Sequence, residues 1–168
     1  SHKHWRITYR KLAKPWRVGV FGDSNLDVTT EKTYGGLLVF IISQLFDGAV
    51  LEDYERSTFT GNLVVSSSRK SQRAVQNTFS AETHAAVNAF DFGRFVQLML
   101  YFIDGGDVRP KPSWPDLLRE KTLQVNHQMI LWTDCQSLVD YLLSNRGSPQ
   151  ERRLTGYLEI LREALALG

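Results

Sequence analysis

Three acids in this chain are spaced so that they can share a cation. Asp23 follows an apolar run in "WRVGVFGDSN", Glu82 opens a helical pattern in "FSAETHAAVNA", and Asp134 follows a second apolar run in "ILWTDCQSLVDYL". If the two apolar runs are neighbouring parallel strands, both aspartates emerge at one edge of the sheet. A helix packed on that sheet then brings Glu82 to them. Three carboxylates so placed repel one another unless positive charge neutralises them. Their oxygens suit hard cations, Mg2+ or Mn2+. Two such ions about 3.5–4 Å apart would activate a water and stabilise the leaving oxygen in phosphodiester cleavage. Each acid also has an ordinary structural use. Asp23 can begin a turn, Asp134 can cap a helix, and Glu82 can sit in a first turn favoured by the helix dipole. It is the joint placement, at strand end, helix start and strand end, that favours a metal site.

The elements that must position these acids follow from periodicity. Residues 17–22 read as a short strand ending at Asp23, and 24–33 as a polar turn. Residues 34–42 form a β-rich apolar run, 44–62 a long hairpin loop and 63–68 a third strand. From Ser80 to Asp104 there is no proline. Counted from Glu82, the residues Ala85, Ala86, Ala89, Gly93, Val96, Leu100 and Ile103 recur at steps of three and four, one face of a long helix. The small residues early on that face let it lie close to a sheet. Residues 105–115 are a glycine- and proline-rich connector. Residues 128–133 are nearly all apolar, so a central strand is expected there. A short helix follows Asp134. A final helix over 150–167 presents Leu154, Tyr157, Leu158, Leu161 and Leu165 on one side. The order predicts an α/β fold: an antiparallel three-strand meander plus a parallel strand, flanked by helices.

With 168 residues, 42% of them hydrophobic and 23% charged, the chain is long enough for one domain with a real core. The net charge of +2 is small but uneven. Lys3, Arg6, Arg10, Lys11, Lys14 and Arg17 precede Asp23 with no acid among them, and Arg69, Lys70 and Arg73 form a second basic run. Such unevenness permits a nucleic-acid partner. Residues 1–16, with Trp5 and Trp16, read as a basic arm ahead of a domain over 17–168. The arm either binds nucleic acid or a partner, or is a packed or loose chain end. A single cysteine excludes an internal disulfide and a cysteine-rich zinc site, and Cys135 is expected to fill space in the short helix. Phe90, Phe92, Phe95, Tyr101 and Phe102 are expected in the core or on a partner face. Apolar stretches such as 37–42 are too short to span a bilayer. The first residue is serine, so the sequence reads as processed, tagged or a fragment, in which a targeting signal would not be visible.

The chain resembles the ribonuclease H region at the end of copia-like retrotransposon polyproteins. The resemblance runs in order through "WRVGVFGDSN", the Gly35–Gly36 pair, "VVSSSRKSQRAVQNTFSAETHAAVNA", "LWTDCQSLVDYL" and "ERRLTGYLEILRE". It implies a ribonuclease H fold and metal-dependent hydrolysis of the RNA strand of an RNA–DNA hybrid. It also implies a Mg2+ or Mn2+ site at Asp23, Glu82 and Asp134. Ser67, Ser68, Arg69, Lys70, Gln72 and Arg73 would lie near the hybrid, although a solvated basic loop is the ordinary use of such residues. Two departures bear on activity. The family has a further strand and helix carrying a fourth acid, with no counterpart here, and an Asp is frequent where Tyr157 stands. The alternatives are therefore a recruited, non-catalytic subunit with protein partners in a larger assembly, or a nucleic-acid-binding module that does not cleave.

Overall fold

Alternation along β1 (Trp16–Asp27) sends Val18 and Val20 to one face and Gly19 to the other. The computed structural model describes residues 8–27, 32–43, 60–70, 77–105, 127–144 and 152–167. β2 (Lys32–Ser43) pairs antiparallel with β1 from Trp16↔Ser43 to Asp27↔Lys32. β3 (Gly61–Lys70) pairs antiparallel with β2. β4 (Met129–Trp132) runs parallel to β1, from Val18↔Met129 to Phe21↔Trp132. The strand order is β3-β2-β1-β4, an α/β mixed sheet of three antiparallel strands and one parallel strand. The helices are α1 (Thr78–Ile103), α2 (Gln136–Leu143) and α3 (Thr155–Leu167), the last preceded by a 3-10 turn (Arg152–Leu154).

Several boundaries differ from expectation, each for a physical reason. Asp23 lies inside β1, not at its end, because Ser24–Asp27 are paired by β2 rather than turning. Asn77 caps α1, its side chain accepting from the Ser80 N–H at 2.8 Å. The helix therefore starts at Thr78 and Glu82 sits beyond the first turn. β4 is an edge strand, not a central one. Its apolar run is explained by packing on both faces: Met129 meets α1 at Gly93, and the Trp132 ring covers Gly19. The expected apolar stripe of α1 is buried from Glu82 to Leu100, but Ile103 is exposed. On α3, Leu158 and Leu161 are buried with the adjoining Leu154, while Leu165 is 54% exposed. Of the aromatic residues along α1, Phe90 is buried and Phe92 and Phe95 are exposed. Residues 44–59 and 106–115 of the expected connectors lie outside the described residues.

Two cores flank α1. Val18, Val20, Val39, Ala89, Val96 and Leu100 close its sheet side. Ala86, Val87 and Phe90 pack with Leu138, Leu154, Leu158 and Leu161 on the other side. Trp16, placed by sequence at the end of the arm, is the first residue of β1. Residues 8–15 are tied down at the sheet end remote from Asp23. Arg10 and Asn62 exchange two hydrogen bonds, Ser43 Oγ donates to the Ala13 carbonyl, and Lys14 pairs with Asp104. His127 Nε2 approaches the other oxygen of Asp104 at 3.0 Å. Among the described residues no helix is long and apolar enough to cross a membrane.

α1 lies close on β1 at Gly22, where an added Cβ would lie 2.6 Å from the Ala85 carbonyl oxygen and 2.8 Å from its carbon. Both are backbone atoms, so α1 itself would have to move. Gly22→Ala should cost about 1–3 kcal/mol of stability, the usual penalty of overpacking, and a denaturant melt against the parent checks it.

Candidate metal centre

β1, α1 and the bend after β4 bring Asp23, Glu82 and Asp134 together: one carboxylate oxygen from each lies within 4.8 Å of the others. Asp23 and Asp134 are exposed, whereas Glu82 is only 5% exposed. The ordinary structural uses of these acids are not realised. Asp23 is paired within a strand opposite Gly36, not in a turn. Cys135, not Asp134, is the cap of α2, and the Cys135 N–H donates to Thr133 Oγ1 at 3.2 Å. Glu82 stands too far into α1 to meet the free N–H groups of the first turn.

The two oxygens of Glu82 are treated differently. Oε1 accepts a hydrogen bond from Ser24 Oγ at 2.6 Å, while Oε2 is buried without a hydrogen-bond partner. Burial pushes the Glu82 carboxyl above its ordinary pKa of 4.5; the Ser24 hydroxyl pulls it back, the charges of Asp23 and Asp134 raise it further, and the Ser24 backbone lowers it least of all. Among the described residues no Lys or Arg pairs with any of the three acids. A buried carboxyl with one oxygen that accepts no hydrogen bond, clustered with two more carboxylates, is costly as it stands. The donor set, all hard oxygen, fits a divalent cation.

Beside the cluster lies a cavity of about 340 Å³ between the sheet and α1. Ser24, Gly35, Gly36, Ser67, Arg69 and Lys70 line it from the strands; His84, Ala85, Asn88 and Phe92 line it from α1. A Cβ added at Gly35 would meet nothing within 4 Å, so that stretch of β2 leaves the opening clear. Of the residues expected near a ligand, Ser67, Arg69 and Lys70 reach this groove. Ser67 lies in the strand expected over 63–68, and Arg69 and Lys70 belong to β3 rather than to a loop. Ser68 is exposed on β3 without lining the groove, and Gln72 and Arg73 lie outside the described residues. His84 and Asn88 were not singled out from sequence, and Phe92, expected in the core or on a partner face, is exposed and lines the groove. Their spacing of four was the available signal, since it marks one stripe of a helix. The His84 ring meets the Tyr157 ring edge-on at 5.0 Å, so α3 borders the same end of the molecule. Cys135 packs against the second core with its Sγ 3.3 Å from Ser137 Oγ, the space-filling role expected. Compared with protein-family models, curated proteins and solved structures, the chain gives no match.

A carboxyl whose pKa is raised on folding holds its proton more tightly folded than unfolded. Its contribution therefore turns against folding as pH rises above the ordinary value of 4.5. In metal-free buffer, Glu82→Gln should gain melting temperature relative to the parent as pH rises through the Glu82 titration, then level off. A millimolar divalent cation should reverse that order, because binding to the folded parent alone stabilises it. Thermal melts across pH with and without the ion make the comparison, and a difference that ignores pH would argue against the cluster's mutual repulsion.

Proposed function

We propose that the chain is a ribonuclease H-like domain that hydrolyses the RNA strand of RNA–DNA hybrids, with Asp23, Glu82 and Asp134 holding Mg2+ or Mn2+. The observation that carries this reading is the buried Glu82 carboxyl, whose Oε2 accepts no hydrogen bond, clustered with two exposed aspartates, next to a groove that Arg69, Lys70 and Ser24 line. The mixed four-strand sheet and the order of its strands are compatible with that fold, and the sequence resemblance runs through the same three acids. Exposure of Asp23 and Asp134 suits a polymer laid across the surface rather than a small molecule enclosed in a pocket. Arg69 and Lys70 supply positive charge for phosphates, while Ser67 and Asn88 supply hydrogen bonds for sugar hydroxyls. A divalent ion bound there would lower the pKa of a water and offset charge on the leaving oxygen.

A second reading, a non-catalytic subunit of a larger assembly, draws on β4. This strand is only four residues long and lies at the sheet edge beside an apolar slot lined by Phe90, Met129, Leu131, Leu161 and Leu165. Failure to bind Mn2+ with the fold intact would favour it.

A hybrid with a labelled RNA strand tests the enzymatic reading. Cleavage should be stronger with Mn2+ than with Mg2+, because Mn2+ binds such oxygen sites more readily. Asp23→Asn and Asp134→Asn should each abolish it, and retained cleavage in either variant would assign the activity to another site. Arg69→Ala with Lys70→Ala should weaken hybrid binding at all sequences alike. The double variant should also flatten the dependence of log K on log salt by about 1 per cation removed, which binding measurements at several salt concentrations would show.

A further inference from the structure

We infer that Ser24 is the positioning residue of the acid cluster: by donating to Oε1 of Glu82 it selects Oε2 as the oxygen offered to the cation. This rests on the metal-site reading above. Glutamate is a flexible ligand, and its carboxyl can turn about the last side-chain bond unless one oxygen is tied. Here the tie is short, with Ser24 Oγ 2.6 Å from Oε1, and it joins residues 58 apart in sequence. It also leaves Oε2 buried and bare. Ser24 is itself well placed to hold another group, because its backbone is fixed in β1 opposite Gly35. Water is a poor substitute for the hydroxyl, since Glu82 is only 5% exposed. Ser24 touches neither Asp23 nor Asp134 by any hydrogen bond among the described residues, so its influence on the site passes through Glu82.

The experiment measures binding of Mn2+ alone, by the loss of its free paramagnetic resonance signal, to the full chain and to Ser24→Ala, Ser24→Cys and Ser24→Thr. Groups that orient a metal ligand are typically worth 10–100-fold in metal affinity, so Ser24→Ala should bind Mn2+ about 10-fold or more weakly. Ser24→Cys, similar in size but a feeble donor, should follow it, and carries the comparison if the alanine variant does not fold. Ser24→Thr, which keeps the hydroxyl, should return to within about threefold of the parent. Removing the hydroxyl also costs melting temperature in metal-free buffer, so affinities are compared where every variant is folded, and a fall in melting temperature without a fall in affinity overturns the inference as a merely structural role. Equal affinity in Ser24→Ala and the parent overturns the inference while leaving the cation site standing. A threonine variant as weak as alanine overturns it too, since packing rather than the hydrogen bond would then matter. A parent that binds no Mn2+ removes both the inference and the reading beneath it.

Discussion

How near α1 can lie to β1 decides almost everything else in this molecule. Where the Gly22 side chain would be, the Ala85 backbone already stands; where the Gly93 side chain would be, Met129 and Val20 meet. Two glycines, one on each element, let the helix settle onto the strand at the spacing that Glu82 needs to reach Asp23. β4 then has to approach from the other side of β1 for Asp134 to join them, and Met129, packed at Gly93, is part of that contact. The close packing is apolar, but what it positions is charge.

That charge sets two forces against each other. Burial of valines, alanines and leucines along the stripe of α1 drives the helix down, and the same motion carries a carboxylate out of water toward two others. Natural chains keep such a conflict where the conflict itself is useful. A single hydroxyl softens it at one oxygen of Glu82 and leaves the other exposed to the full effect. In this view the site is a cluster of three carboxylates without a cationic partner among the described residues, set at the edge of a well-packed interior, which is an arrangement that could hold an ion.

The acid cluster was legible in sequence because its members sit where periodic patterns begin or end, so that strand and helix geometry alone brings them together. Long-range pairing was less legible. Ser24–Asp27 has the composition of a turn, and only the presence of Lys32–Gly35 across the ladder makes it a strand. An apolar run cannot distinguish a central strand from an edge strand when a tryptophan lies over a glycine to cover its second face, as Trp132 does. The Asn77 cap shifted Glu82 inward by part of a turn because a side chain accepting from three residues on outweighs the composition around it. Ser24 was invisible for a simpler reason: its bond to Glu82 depends on the fold being complete. The α1 wall of the groove, at His84, Asn88 and Phe92, was hidden by the apolar stripe beside it, which dominates the periodic signal.

The strap formed by residues 8–15 has a consequence for where the sheet is covered. Its anchors, Asn62, Ser43 and Asp104, lie at the end of the sheet where β1 begins. Asp23 is seven positions along that strand, roughly 23 Å away at the rise of extended chain. Arg10, Ala13 and Lys14 are therefore held at one end of the sheet, and this stretch of chain leaves the acids and the groove at the other end uncovered.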